Sequence, residues 1–206
     1  MNVDTLVAAV RAGKPVLLPT DTVYGLCVNP YREEFARRLY RIKGRDDRQP
    51  VALLASDLDL LFECLPELRG RAGTIARGLL PGPYTLVFPN PARRYRWLTG
   101  SRPDTIGVRV PELEGAARQV LERVGAVAST SANDPGEAAP ARLDEIPERI
   151  RAACGAELDG GALPGVASTV VDLTGSEPVV LREGAGSAER VLRTVQRPAR
   201  ARLIAE

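Results

Sequence analysis

The sequence predicts an α/β protein built on a largely buried mixed sheet. Three observations carry the prediction. Stretches of helical spacing alternate along the chain with short, continuous apolar runs, the apolar runs end in small polar residues, and no solenoid period, coiled-coil heptad or low-complexity tract breaks the alternation. A chain of 206 residues with 44% hydrophobic content can bury one substantial core, so a single domain over 1–206 is expected.

The elements follow in order. Val3, Leu6, Val7 and Val10 recur at helical spacing, Gly13 fits a helix stop, and Val16 to Leu18 begins a buried strand running into Pro19. Phe35, Leu39 and Ile42 mark the next helix, which leads to a turn at Gly44 and Arg45 and then a strand from Val51 to Ala55. A helix near Leu58 to Leu65 has Ser56 or Asp57 as its N-cap. Another, near Leu68 to Leu80, ends at Pro81-Gly82-Pro83, and Tyr84 to Phe88 is a strand. Asn90 to Asp104, rich in Arg and Pro, reads as a surface loop.

Thr105 to Val110 is the next strand, Gly115 to Val124 a helix with Ala117, Val120 and Leu121 inward, and Ala126 to Ser129 a strand opening into polar residues. Asp134 to Pro147, rich in Pro, Ala and acidic residues, reads as a mobile lid or loop. A short helix near Glu148 to Cys154, a Gly160-Gly161 turn, strands at Ser168 to Leu173 and Val179 to Leu181, and a helix from Ala188 complete the pattern.

Composition removes whole classes of chemistry. With no histidine, Ser-His-Asp and Cys-His nucleophile systems and His-based zinc sites are excluded, and catalysis falls to carboxylates, lysine, hydroxyls, backbone amides or the substrate's own phosphates. Cys27, Cys64 and Cys154 are far apart in separate apolar contexts and read as reduced structural thiols. No signal-like N-terminus and no apolar run near the roughly 18 residues that span a bilayer is present, so no membrane contact and a cytoplasmic location are expected. Charge is near balance, 28 basic against 26 acidic residues. Arginines nevertheless cluster at Arg37, Arg38, Arg41, Arg45 and Arg48 around Lys43, and again at Arg93, Arg94, Arg96 and Arg102, as solvated faces or as attractors of phosphate.

Five short motifs place a hydroxyl, an amide or a fixed cation at the end of an apolar run. They are Pro19-Thr20-Asp21-Thr22-Val23-Tyr24-Gly25, Lys43-Gly44-Arg45, Thr105-Ile106-Gly107-Val108-Arg109-Val110-Pro111, Ser129-Thr130-Ser131-Ala132-Asn133 and Ser168-Thr169-Val170-Val171-Asp172. Together they suggest an anion-binding cavity. Thr105 and Arg109 lie four residues apart on one strand and point to one face; Ser129, Ser131 and Asn133 alternate and share a face too.

The five motifs, in this order from about Val16 to about Gly184, resemble the YrdC-like family, in the short single-domain form of its threonylcarbamoyl-AMP synthases. The resemblance implies a twisted open mixed sheet flanked by helices around a concave basic cavity. It implies synthesis of threonylcarbamoyl-adenylate and diphosphate from L-threonine, bicarbonate and ATP, with Mg2+ accompanying the nucleotide. It also implies downstream tRNA-modification proteins as partners, with tRNA contact open.

Carried over residue by residue, the resemblance assigns Lys43 and Arg45 to catalysis. Thr20, Arg109, Ser129 and Ser168 fall to threonine, and Arg45, Gln49, Thr105, Ser131, Asn133 and Arg182 to the nucleotide; no protein metal ligand is expected. The chain departs from the family pattern at Asp46, where proline is usual, and at Gln49 in place of asparagine. Leu54 stands where some members have histidine, Ala139 in place of serine, and Ala167 in place of an acidic residue. Asp46 beside Arg45 would weaken phosphate attraction unless it helps hold magnesium. Asp21 is a candidate general base or a turn residue. Two alternatives stand beside the synthase: a YrdC-like paralogue acting on another carbamoylated substrate, and a non-enzymatic RNA-binding module.

Overall fold

A computed structural model describes residues 2–196; Arg197, Arg200 and Arg202, the basic residues of the sequence's tail, lie outside the described residues. The strands are β1 (Val16–Pro19), β2 (Tyr24–Val28), β3 (Ala52–Ala55), β4 (Tyr84–Pro89), β5 (Thr105–Arg109), β6 (Ala126–Ser131), β7 (Ala156–Glu157), β8 (Thr169–Asp172) and β9 (Val179–Arg182). They join in one mixed sheet of order β7-β1-β2-β6-β3-β5-β4-β8-β9. The pairs β1–β7, β3–β5 and β4–β8 are parallel, the others antiparallel. The expected α/β architecture with a mixed sheet is what the chain adopts.

The helices are α1 (Val3–Arg11), α2 (Glu33–Lys43), α3 (Leu58–Cys64), α4 (Gly70–Leu79), α5 (Gly115–Val124), α6 (Glu148–Ala152) and α7 (Ala188–Gln196). Their ends follow local chemistry. The Asn2 side chain accepts the Asp4 N–H at the start of α1, and Asp57, rather than Ser56, caps α3 by accepting the Leu60 N–H at 2.8 Å. In α2, Glu33 and Glu34 sit in the first turn and Arg41 and Lys43 in the last, the polarity the helix dipole favours, and Gly44 stops it at φ 58°.

Four features depart from the sequence expectations, one being the two-residue strand β7 at Ala156–Glu157, where none was expected. β2 follows β1 through the turn at Asp21–Val23, where no strand was expected: its five residues are all buried, so it shows no alternation to read. The loop from Asn90 to Asp104 contains a 3-10 turn at Arg96–Leu98, with Leu98 in the core. The segment 134–147 is anchored in its second half, which makes it no free lid. Tyr24 N–H donates to Pro140 O, Leu163 N–H to Ala141 O, the Glu145 carboxylate accepts the Ala141 and Arg142 amides, and Ile146 is buried.

Packing divides the two faces of the sheet unequally. One face is covered by the main core, in which Leu17, Leu26, Leu53, Leu86, Phe88, Val108, Ala128 and Val171 meet residues of α2, α3, α4, α6 and α7. On the other face α1 and α5 bury Leu6, Val7, Val10, Val120 and Leu121 against Leu18, Cys27, Leu54 and Val127. Because side chains alternate, the residues two positions from Leu18, Cys27 and Val127 on the same face lie beyond the helices: Thr20, Gly25 and Ser129. That uncovered stretch is the floor of the site.

Candidate functional site

A cavity of about 310 Å3 opens on the uncovered face. From β1, β2 and β6 it takes Thr20, Gly25, Ser129 and Ser131; from β5, Thr105, Gly107 and Arg109; from β4, Thr85 and Val87; and from the other end of the sheet Ser168, Val170 and Arg182. Arg45 reaches in from the turn after α2. Behind Thr20, Ser129 and Ser131 the stretches 16–18 and 126–128 are apolar and buried, so these strands are rigid where the polar groups emerge.

Of the eleven residues singled out from sequence, this cavity gathers eight: Thr20, Arg45, Thr105, Arg109, Ser129, Ser131, Ser168 and Arg182. Lys43, Gln49 and Asn133 are not on its wall. Lys43 is buried, and its ammonium donates to Ser131 O at 2.8 Å, to Asn133 O and to Asn133 Oδ1 at 3.1 Å. Asn133 therefore does not continue the alternation of Ser129 and Ser131: β6 ends at Ser131, and the Asn133 amide turns to Lys43 and to the Asp134 and Glu137 carbonyls. Gln49 is exposed in the turn closed by its N–H to Asp46 O.

The departures sort by the same geometry. The Asp46 carboxylate is held by the Arg48 guanidinium at 2.8 Å and is not on the cavity wall. Leu54 lies under α1 and α5, away from the cavity, whereas Ala167 is on its wall and leaves that position uncharged. Asp21, the candidate base, is also off the wall. Its Oδ1 accepts from Arg109 Nη2 at 2.6 Å and its Oδ2 from the Glu112 N–H at 3.3 Å. Burial raises its carboxyl above the ordinary carboxylate value, against the pull of Arg109.

Sequence reasoning missed Thr85, Thr130 and Gly25. Thr85 shares a hydrogen bond of 2.8 Å with Ser168 Oγ and was legible as the polar residue opposite Tyr84 and Leu86 in strand alternation. Thr130 Oγ1 accepts from Arg45 Nη1 at 2.9 Å. Gly25 has a steric role: a Cβ there would stand 2.8 Å from Ser129 Oγ.

Electrostatics give the cavity its character. Its wall carries four arginines, Arg45, Arg102, Arg109 and Arg182, and no carboxylate. Arg109 is paired behind the wall with Asp21, and Arg102 with Asp172 at 2.9 Å. Arg45 and Arg182 have no acidic partner among the described residues; they donate only to neutral oxygens, Pro50 O and Thr130 Oγ1 for Arg45 and Ser168 O and Oγ for Arg182. Burial lowers the pKa of Arg45, Arg109 and Arg182 from the ordinary value, yet guanidinium stays charged. Arg45 Nε and Arg109 Nε are buried with no hydrogen-bond partner. Leaving a buried donor of a charged group unmade is costly, and neither Nε is itself open to the cavity.

The thiols are not part of this chemistry. Cys27 is buried, and burial pushes it up to about 11, while Cys154 is pushed up to about 12. Among the described residues no group of three or more His, Cys, Asp or Glu could hold a metal, and no helix is long and apolar enough to cross a membrane.

The Sua5/YciO/YrdC family model, described as "Telomere recombination", matches residues 8–184. The chain belongs to that family. It is 34% identical over 187 residues to the threonylcarbamoyl-AMP synthase of Pyrococcus abyssi, a match covering 90% of this chain and 55% of that protein. It thus spans little more than half of that relative. The crystal structure of P. abyssi Sua5 complexed with L-threonine superposes with a TM-score of 0.86 at 33% identity, covering 94% of this chain and 57% of that one. E. coli YciO superposes with a TM-score of 0.81 at 30% identity, covering 92% of both chains.

Proposed function

We propose that this chain is an L-threonylcarbamoyladenylate synthase. It is a nucleotidyltransferase that forms threonylcarbamoyl-AMP and diphosphate from L-threonine, bicarbonate and ATP, for threonylcarbamoyladenosine modification of tRNA in the cytoplasm. The observation that carries the reading is that one cavity, whose charged residues are all arginines, gathers Thr20, Arg45, Thr105, Arg109, Ser129, Ser131, Ser168 and Arg182, in a chain similar to a threonine-bound structure.

In this reading the threonine amine takes up bicarbonate-derived carbon dioxide to give a carbamate. A carbamate oxygen then attacks the α-phosphorus of ATP while the bond to the bridging oxygen breaks and diphosphate leaves. The enzyme positions the reactants and neutralises charge rather than supplying a nucleophile. Arg109 holds the threonine carboxylate, with Thr20, Ser129 and Ser168 around it. Arg45 and Arg182, the cations without acidic partners, take the phosphates; Thr105 and Ser131 contact the nucleotide. The wall offers hydroxyls and no carboxylate, so magnesium would come with ATP and would help the arginines neutralise the phosphates. Lys43 acts from behind the wall by fixing the end of β6, and no protein group is assigned as base.

A second reading has support of its own. Ala167 stands on the wall where the family resemblance has an acidic residue, which suits a paralogue with another carbamoylated substrate. Pyrophosphate release with mass detection of the nucleotide product, in ATP, magnesium and bicarbonate with and without L-threonine, decides between them. Threonine-dependent release of a threonylcarbamoyl-adenylate mass, lost in Arg109→Ala, is expected. Retained ATP binding without threonine-dependent turnover would select the paralogue, and salt-sensitive tRNA binding with neither would select the RNA-binding module.

A further inference from the structure

Arg109 is the one cavity arginine whose guanidinium is clamped from behind by a buried carboxylate. Asp21 and Arg109 side chains are each 9% exposed and meet at 2.6 Å. Thr22 Oγ1 accepts from the same Nη2 at 3.2 Å, and the Glu112 N–H fixes the far oxygen of Asp21 at 3.3 Å. A guanidinium is planar, so anchoring Nη2 at one corner fixes the direction of the Nη1 corner. Nη1 makes no hydrogen bond among the described residues and, unlike the sealed Nε, is not a buried donor, so it is the corner left for a ligand.

The pairing also sets charge. Arg109 with Asp21 is a near-neutral unit, whereas Arg45 and Arg182 carry undiminished charge on the same wall. A multiply charged phosphate gains most where cationic charge is unopposed. A single carboxylate on a zwitterionic amino acid gains from one well-aimed charged donor and loses little from the carboxylate behind it.

We infer that Asp21 is a positioning residue that aims Arg109 and reserves its end of the cavity for an amino-acid carboxylate, leaving phosphate to Arg45 and Arg182. The inference rests on the synthase reading and deepens it: Asp21 keeps the two substrates in register. It acts through Arg109 and touches neither substrate.

Calorimetric titration tests this without turnover. The wild type and Asp21→Asn, which keeps the shape and an acceptor but removes the charge, are each titrated with L-threonine, with a non-hydrolysable ATP analogue, and with threonine in the presence of inorganic phosphate. In Asp21→Asn, threonine affinity is expected to fall about ten-fold, the scale of one misaligned charge-assisted hydrogen bond. Nucleotide affinity should stay within about two-fold by the same arithmetic, and phosphate should newly compete with threonine. In steady state the threonine KM rises more than kcat falls. A merely structural role would lower both affinities together with the melting temperature, and that result overturns the proposal. So does threonine binding that is unchanged and still indifferent to phosphate. Should Asp21→Asn not fold, Asp21→Ser, smaller but still an acceptor for the Glu112 amide, is read by the same criteria. A wild type that binds no threonine brings down the synthase reading itself, whereas wild-type binding with an unaltered variant brings down this inference alone.

Discussion

Lys43 and Arg45 are two residues apart, and sequence gives no reason to treat them differently. The fold does: α2 ends at Gly44, so the lysine is still on the helix and points back to β6 while the arginine, past the turn, enters the cavity. Residue type was legible, but direction was not, because it depends on where a helix stops to within one residue. Burial, with Arg45 and Arg149 nearby, pushes Lys43 from 10.5 down to about 8. The folded protein therefore binds fewer protons at this site than the unfolded chain between about pH 8 and 10.5, and its contribution to unfolding free energy rises across that window. Urea midpoints of the wild type should gain on those of Lys43→Met as pH is raised from 7 to 10 by these linkage rules. A difference that is constant with pH would mean that the lysine titrates normally.

At the scale of elements, α1, α3, α5 and the strands from β3 to β6 follow from periodicity and caps, and Ala117, Val120 and Leu121 face inward as their spacing requires. β2 was hidden because Tyr24–Val28 is buried on both faces and broken by glycine, so neither alternation nor composition marks it. The same glycine lets β2 and β6 come together under the cavity. Gly25→Val would press its side chain on Ser129 Oγ, which a Cβ alone approaches to 2.8 Å. Overpacking of this kind costs about 1–3 kcal/mol. A lower melting temperature together with weakened threonine binding is expected; an unchanged melting temperature with intact binding would show that the strands part freely here. Thr20, Ser129 and Ser131 were readable as polar endings of apolar runs, whereas Asn133 was misplaced because the alternation was extended past the last residue of β6.

For the molecule as a whole, the balanced charge of 28 basic and 26 acidic residues conceals a local imbalance. Among the described residues ten of the nineteen arginines outside the cavity form ion pairs, while Arg45 and Arg182 inside it have no acidic partner. Salt should consequently act unequally on the two substrates: raising ionic strength from about 0.05 to 0.5 M, which shortens the screening length to a few ångströms, should weaken nucleotide binding several-fold more than threonine binding. Equal weakening would mean that the Asp21–Arg109 pair does not shield its end. Composition could not predict this, since it depends on which cations the fold leaves without a counter-charge. The division of one sheet face between helices and cavity has a consequence for durability. Thr20, Gly25 and Ser129 continue strands that α1 and α5 clamp on this face and the main core backs on the other, so the working surface is held only by packing beside and behind it. Loosening the amino-terminal helix blurs the pocket from a distance, and a filled pocket in turn braces a helix that no substrate touches.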